Sequence, residues 1–102
     1  MTIATRNGCQ FCIGMHTGRL RRLGAARELI TALRQSAQIA DERLDAVRQF
    51  TLRALATTGA VPDEEIKEFL AAGYTPRNAL EVILGIGTYT MSTFANRLLN
   101  VH

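Results

Sequence analysis

Apolar positions recur along the chain at three- and four-residue intervals, the period of helices. β-Branched residues never form the alternating run of a half-buried strand. Glycine, proline and capping residues divide this pattern into about six helical pieces. The first, Met1 to Arg6, has no cap before it and reads as the end of a helix that finishes at Asn7-Gly8. A second runs from about Gln10 to Leu23 and stops at Gly24. A third, Ala25 to Gln35, sets Leu29, Ile30 and Leu33 on one face. Asp41 is suited to cap a longer helix ending at Gly59, whose inner face is predicted as Leu44, Val47, Phe50 and Ala54. Pro62 opens a fifth, with Asp63, Glu64 and Glu65 at the positive end of its dipole, and Ile66, Phe69 and Leu70 turned inward before Gly73. Thr75-Pro76 caps the last helix, which reaches Leu99 with Leu80, Ile83, Leu84, Gly87, Met91, Phe94 and Leu98 on one stripe. That stripe exceeds what a monomer of this size easily covers and suggests oligomer surface. Gly85 and Gly87 each cost ~1 kcal/mol in a helix interior, so both are expected where a neighbouring backbone comes close. The fold class is all-α.

Composition narrows the picture. A chain of 102 residues supports one core, so residues 1–102 are a single domain. No apolar run approaches the ~20 residues of a membrane-spanning helix, and the first residues lack the apolar stretch of a signal peptide. The expectation is a cytoplasmic protein. The net charge of +3 rests on eleven Arg and one Lys. Arg19, Arg21, Arg22 and Arg27 cluster without interleaved aromatics or a nucleic-acid-binding motif, which favours a solvated face or an oligomer interface over nucleic-acid contact. Gly85-Ile86-Gly87 lacks the third glycine and the preceding strand of a dinucleotide fingerprint. Met15 and Met91 are read as core, and Tyr74 and Tyr89 as packing residues, with Tyr89 also a candidate for the edge of a pocket.

Cys9-Gln10-Phe11-Cys12-Ile13-Gly14-Met15-His16 is the one compact group of reactive residue types. Cys9 follows the Asn7-Gly8 break and Cys12 falls in the first turn of the next helix. Unpaired N–H groups and the dipole at that terminus lower a thiol pKa. The spacing brings both sulfurs within disulfide reach, and His16, four residues beyond Cys12, shares its helix face. An imidazole there can accept the thiol proton, stabilise the thiolate or protonate a leaving oxygen. Two other readings stand beside this redox one: buried apolar filler, and a zinc site built from Cys9, Cys12, His16 and His102.

Asn7-Gly8-Cys9-x-Phe11-Cys12-x-x-x-His16-Thr17 resembles the core motif of the AhpD-like branch of the carboxymuconolactone decarboxylase superfamily. Similarity continues through Val61-Pro62-Asp63-Glu64-Glu65, Ala71-Ala72-Gly73-Tyr74-Thr75, Ala79-Leu80-Glu81-Val82 and Thr88-Tyr89 to Asn96-Arg97-Leu98. The resemblance implies an all-helical domain assembled as a homo-oligomer, often a trimer or hexamer. It also implies a thiol-dependent alkylhydroperoxide reductase or disulfide reductant. Cys12 would be the peroxide-attacking thiol, Cys9 the resolving thiol, and His16 part of a proton relay. No cofactor would be intrinsic and no metal bound. Reducing equivalents would come from an external thiol reductant or a peroxiredoxin-type protein partner, with neither nucleic acid nor membrane involved.

One departure from the family pattern stands out. The relay Glu that the family carries about a dozen residues before its first cysteine has no position here, and the helices that usually precede the motif are missing. The domain is therefore expected to be either N-terminally truncated or a short member. In a short member Glu28 or Glu81 would stand in, or the acid would be absent and peroxidase activity weak. The alternatives carried forward are a catalytically weak helical binding module of the same fold and a carboxymuconolactone decarboxylase-like enzyme.

Overall fold

Each expected break in the helical pattern is a helix end. The computed structural model describes residues 1–99. They form α1 (Thr2–Asn7), α2 (Gln10–Arg22), α3 (Arg27–Arg34), α4 (Glu42–Thr57), α5 (Asp63–Ala71) and α6 (Pro76–Leu98), with no strand among the described residues. The caps are the anticipated ones. The Asp41 carboxylate accepts from the N–H groups of Arg43 and Leu44 at 2.9 and 3.1 Å. Thr75 and Asn78 exchange side-chain and backbone hydrogen bonds in a capping box, with Pro76 in the first helical position. No helix is long and apolar enough to cross a membrane among the described residues.

α1 is only six residues long, below what stands alone in water, yet it touches α2, α3, α4 and α6. Packing, not propensity, holds it. Ala4 is buried, the Thr5 hydroxyl bonds the Leu33 carbonyl at 3.2 Å, and the Arg97 guanidinium donates to the Asn7 carbonyl at 2.9 Å. The short helix is the hub of its end of the molecule. At the other end, Phe50, Phe69 and Tyr74 stack with centroid separations of 4.3 and 4.5 Å. Phe69 is the most deeply buried large side chain, and the Tyr74 hydroxyl donates to the Arg43 carbonyl at 2.7 Å.

Two expectations about faces are corrected. Leu44 is exposed, and α4 instead buries Asp45, Phe50, Thr51 and Ala54. The reason is that Asp45 anchors the preceding loop: its carboxylate accepts from the Ile39 N–H (2.9 Å), Arg48 (2.7 Å) and Gln49 (2.6 Å). Met15 and Met91 are exposed rather than core; α2 buries Cys12, Ile13 and Thr17, and Met15 lies off that edge. The apolar stripe of α6 faces outward. Leu80, Leu84, Met91, Phe94 and Leu98 are all more than two-thirds exposed, and the only buried residue of α6 is Thr93. A Cβ built at Gly85 or Gly87 meets nothing within 4 Å, so within the protomer no backbone makes the close approach those glycines suggested.

Candidate redox site

Gly8 ends α1 in the left-handed conformation (φ 67°), which a side chain would strain, and turns the chain directly into Cys9. Cys9 is the N-cap of α2, in extended conformation, and its sulfur accepts the Cys12 N–H at 3.3 Å. A sulfur here occupies the place of the usual Ser or Asp oxygen of a helix cap. Cys9 and Cys12 are joined by a disulfide, with their Cα atoms 5.2 Å apart. Both are buried, in a cluster with Ala4 and Ile13 against which Met1 packs. The first turn of α2 contains no acid to offset the positive end of its dipole.

The opposite wall of the site belongs to α6. The Asn96 side-chain amide donates to the Cys12 sulfur at 3.6 Å, and the hydroxyl of buried Thr93 lies 3.8 Å from the same atom. The disulfide sulfur has no proton to give, so the hydroxyl is the donor in this state. His16 lies on α2 one turn beyond Cys12, and its ring meets Tyr89 of α6 edge-on, with centroids 5.2 Å apart and planes at 77°. No hydrogen bond joins His16 to either sulfur among the described residues. Burial first, then the Met1 α-ammonium and Arg19, lowers the His16 pKa below the usual 6.5. The imidazole is therefore mainly neutral near pH 7, the form that can accept a proton.

Further contacts fix the frame. The Thr17 hydroxyl donates to the Ile13 carbonyl at 2.7 Å and accepts from Arg34 at 3.0 Å, tying α2 to α3. Two buried atoms, Asn7 Nδ2 and Thr90 Oγ1, have no hydrogen-bond partner among the described residues. They lie on α1 and α6, the two helices that cover the sulfurs.

Neither proposed substitute acid joins the site. Glu28 is exposed at the start of α3, and Glu81 pairs with Arg77 at 3.5 Å on the outer side of α6. No carboxylate bonds His16 or a sulfur among the described residues. They also contain no group of three His, Cys, Asp or Glu placed to hold a metal ion, and His102 lies outside them.

The model of the carboxymuconolactone decarboxylase family matches residues 1–51, which include the whole Cys9–His16 segment. The chain belongs to this family. No curated protein matches the chain. Within this carboxymuconolactone decarboxylase family member, the sequence motif accounts for Cys9, Cys12 and His16. Thr93 and Asn96 are absent from it, and Tyr89 enters the sequence reading as a packing residue and candidate pocket edge. Their signal was available: Tyr89, Thr93 and Asn96 recur at four and three residues, a polar line on the helix face away from the leucines.

Proposed function

We propose that this protein is a thiol-dependent peroxidase of the alkylhydroperoxide reductase type, cycling between a Cys9/Cys12 dithiol and the disulfide. The observation that carries this reading is the surroundings of the Cys12 sulfur. It sits at a helix N-terminus and receives an amide and a hydroxyl donor from α6, an arrangement that favours an anionic sulfur. In the reduced protein the Cys12 thiolate attacks the terminal oxygen of a hydroperoxide. The O–O bond breaks, Cys12 becomes a sulfenic acid, and the alkoxide takes a proton to leave as the alcohol. The Cys9 thiol then attacks the Cys12 sulfur and expels water, forming the disulfide. An external dithiol, small or carried on a peroxiredoxin-type protein, returns two electrons and two protons. Neutral His16 serves as the proton acceptor for the thiol and the proton source for the leaving oxygen, through a solvent molecule. No intrinsic cofactor takes part.

Two observations favour a second reading, a helical module of weak catalytic power: both sulfurs are buried, and among the described residues no carboxylate bonds His16. With both sulfurs buried, a hydroperoxide reaches Cys12 only when the helices packed over it move. The deciding experiment measures alkyl hydroperoxide consumption with excess dithiol for the wild type, Cys12→Ser and Cys9→Ser. Loss of turnover in both variants, with a sulfenic acid trapped in Cys9→Ser, is the expected result. Equal rates in all three proteins would overturn the enzymatic reading.

A further inference from the structure

The fold divides the basic cluster that follows the cysteines. A cleft of about 720 Å³ opens between the last turn of α2 and α3. Arg21 and Arg27 line it, Arg19 and Arg22 do not, and Arg34 joins them from the end of α3. Three guanidinium groups thus gather around one cavity that no carboxylate lines. The ion pairs among the described residues involve Arg48, Arg53 and Arg77, not these three. On α3, Arg27, Thr31, Arg34 and Gln35 follow one another at four, three and one residues, which sets them along one wall. Thr31 and Gln35 add a hydroxyl and an amide, and buried Ile30 adds an apolar patch. Arg34 is already anchored. Its Nη1 donates to the hydroxyl of buried Thr17 at 3.0 Å, and Thr17 is itself bonded to the Ile13 carbonyl.

We propose that this cleft binds the diphosphate group of a small molecule. Like charges around one cavity repel each other, and a bound anion removes that repulsion. A guanidinium offers parallel N–H groups that match two oxygens of a phosphate, which an ammonium cannot do. Three of them carry the charge to balance a diphosphate, and the Thr31 hydroxyl and Gln35 amide can donate to its remaining oxygens. The anchoring of Arg34 on Thr17 lowers the cost of ordering the site when the ligand arrives. The volume falls in the range of small-molecule sites, about 300–1,000 Å³. No aromatic side chain lines the cleft, so a nucleic-acid base has no ring to stack on. Arg21 lies nine residues beyond Cys12 on α2, about 14 Å along the helix at 1.5 Å per residue. The site therefore stands apart from the sulfurs and does not depend on the redox chemistry.

The test is isothermal titration calorimetry of the full chain with pyrophosphate at fixed ionic strength. Four proteins are compared: wild type, Arg21→Gln, Arg27→Gln and Arg77→Gln. All three arginines are exposed, so circular dichroism should show an unchanged fold. Arg77 lies on α6, outside the cleft, and its replacement removes the same charge elsewhere. The wild type is expected to take up one pyrophosphate per chain. Arg21→Gln and Arg27→Gln should each weaken uptake about tenfold or more, through loss of a charge-assisted hydrogen bond. Arg77→Gln should weaken it less than about twofold, because a distant exposed charge is screened. A lipid headgroup could offer the same phosphate chemistry, so the wild type is also sedimented with vesicles of phosphatidylcholine and phosphatidic acid, where it is expected to stay in solution. No uptake of pyrophosphate, an equal loss in Arg77→Gln, or capture by the vesicles would each overturn the proposal.

Discussion

Around Cys12, an amide, a hydroxyl and the N-terminus of α2 all favour negative charge on sulfur, and the amide can be removed with least disturbance. A hydrogen bond to a charged group contributes about 1.5 kcal/mol, or roughly tenfold in the thiolate fraction. Asn96→Ala should therefore raise the Cys12 thiol pKa and slow its alkylation at neutral pH by up to about tenfold, read from the pH dependence of iodoacetamide labelling of the reduced protein. An unchanged profile would mean that the amide merely fills space. His16 supplies a second expectation. Burial lowers its pKa below the 6.5 at which the unfolded chain takes up a proton. Well above 6.5 this group has no effect on stability; as pH falls through 6.5 toward the folded value, stability declines because the unfolded state binds the proton more readily. Denaturation across that window should show the decline in the wild type and a flatter profile in His16→Gln.

At the scale of elements, α4 shows how one carboxylate organises a segment that periodicity cannot describe. Asp45 is held below its ordinary pKa of 3.8. Burial alone would raise it, but the Arg48, Ile39 and Gln49 hydrogen bonds outweigh that. Its contribution is thus present above 3.8 and lost as pH falls through the folded value. Replacing it strands the Ile39 N–H and the largely buried Arg48 guanidinium. Asp45→Ala should destabilise the protein by about 3 kcal/mol, seen as a lower urea midpoint with an unchanged slope; a change under about 0.5 kcal/mol would place it among ordinary surface substitutions. Apolar periodicity alone places Leu44 inward, because it takes no account of a buried carboxylate. Helix limits were legible because caps act within four residues of the backbone they bond. The burial of Asp45 depends on a loop that sequence periodicity does not reach.

For the molecule as a whole, the disulfide is a small part of the stability. It closes a loop between residues only three apart, and a loop that short restrains the unfolded chain by about 2 kcal/mol. Neither the aromatic stack of Phe50, Phe69 and Tyr74 nor the contacts of α1 with α3, α4 and α6 run through the disulfide. The reduced protein should remain folded and lose about 2 kcal/mol, as measured by urea denaturation with and without dithiol. Global unfolding on reduction would mean that the bond is a structural staple rather than one state of a cycle.

The sequence by itself determined the helices, their caps and the placement of Cys9, Cys12 and His16 along one helix. All of these depend on residues a few positions apart. The tertiary structure alone decided that α1 is a hub and that Thr93 and Asn96 close over the Cys12 sulfur. It also decided that Met15 lies off the buried edge of α2 and that no backbone of the protomer approaches Gly85 or Gly87. Periodicity shows that a helix has an apolar side but not what that side meets. On α6 the side turned to the sulfurs is polar, and the apolar one faces away from the core.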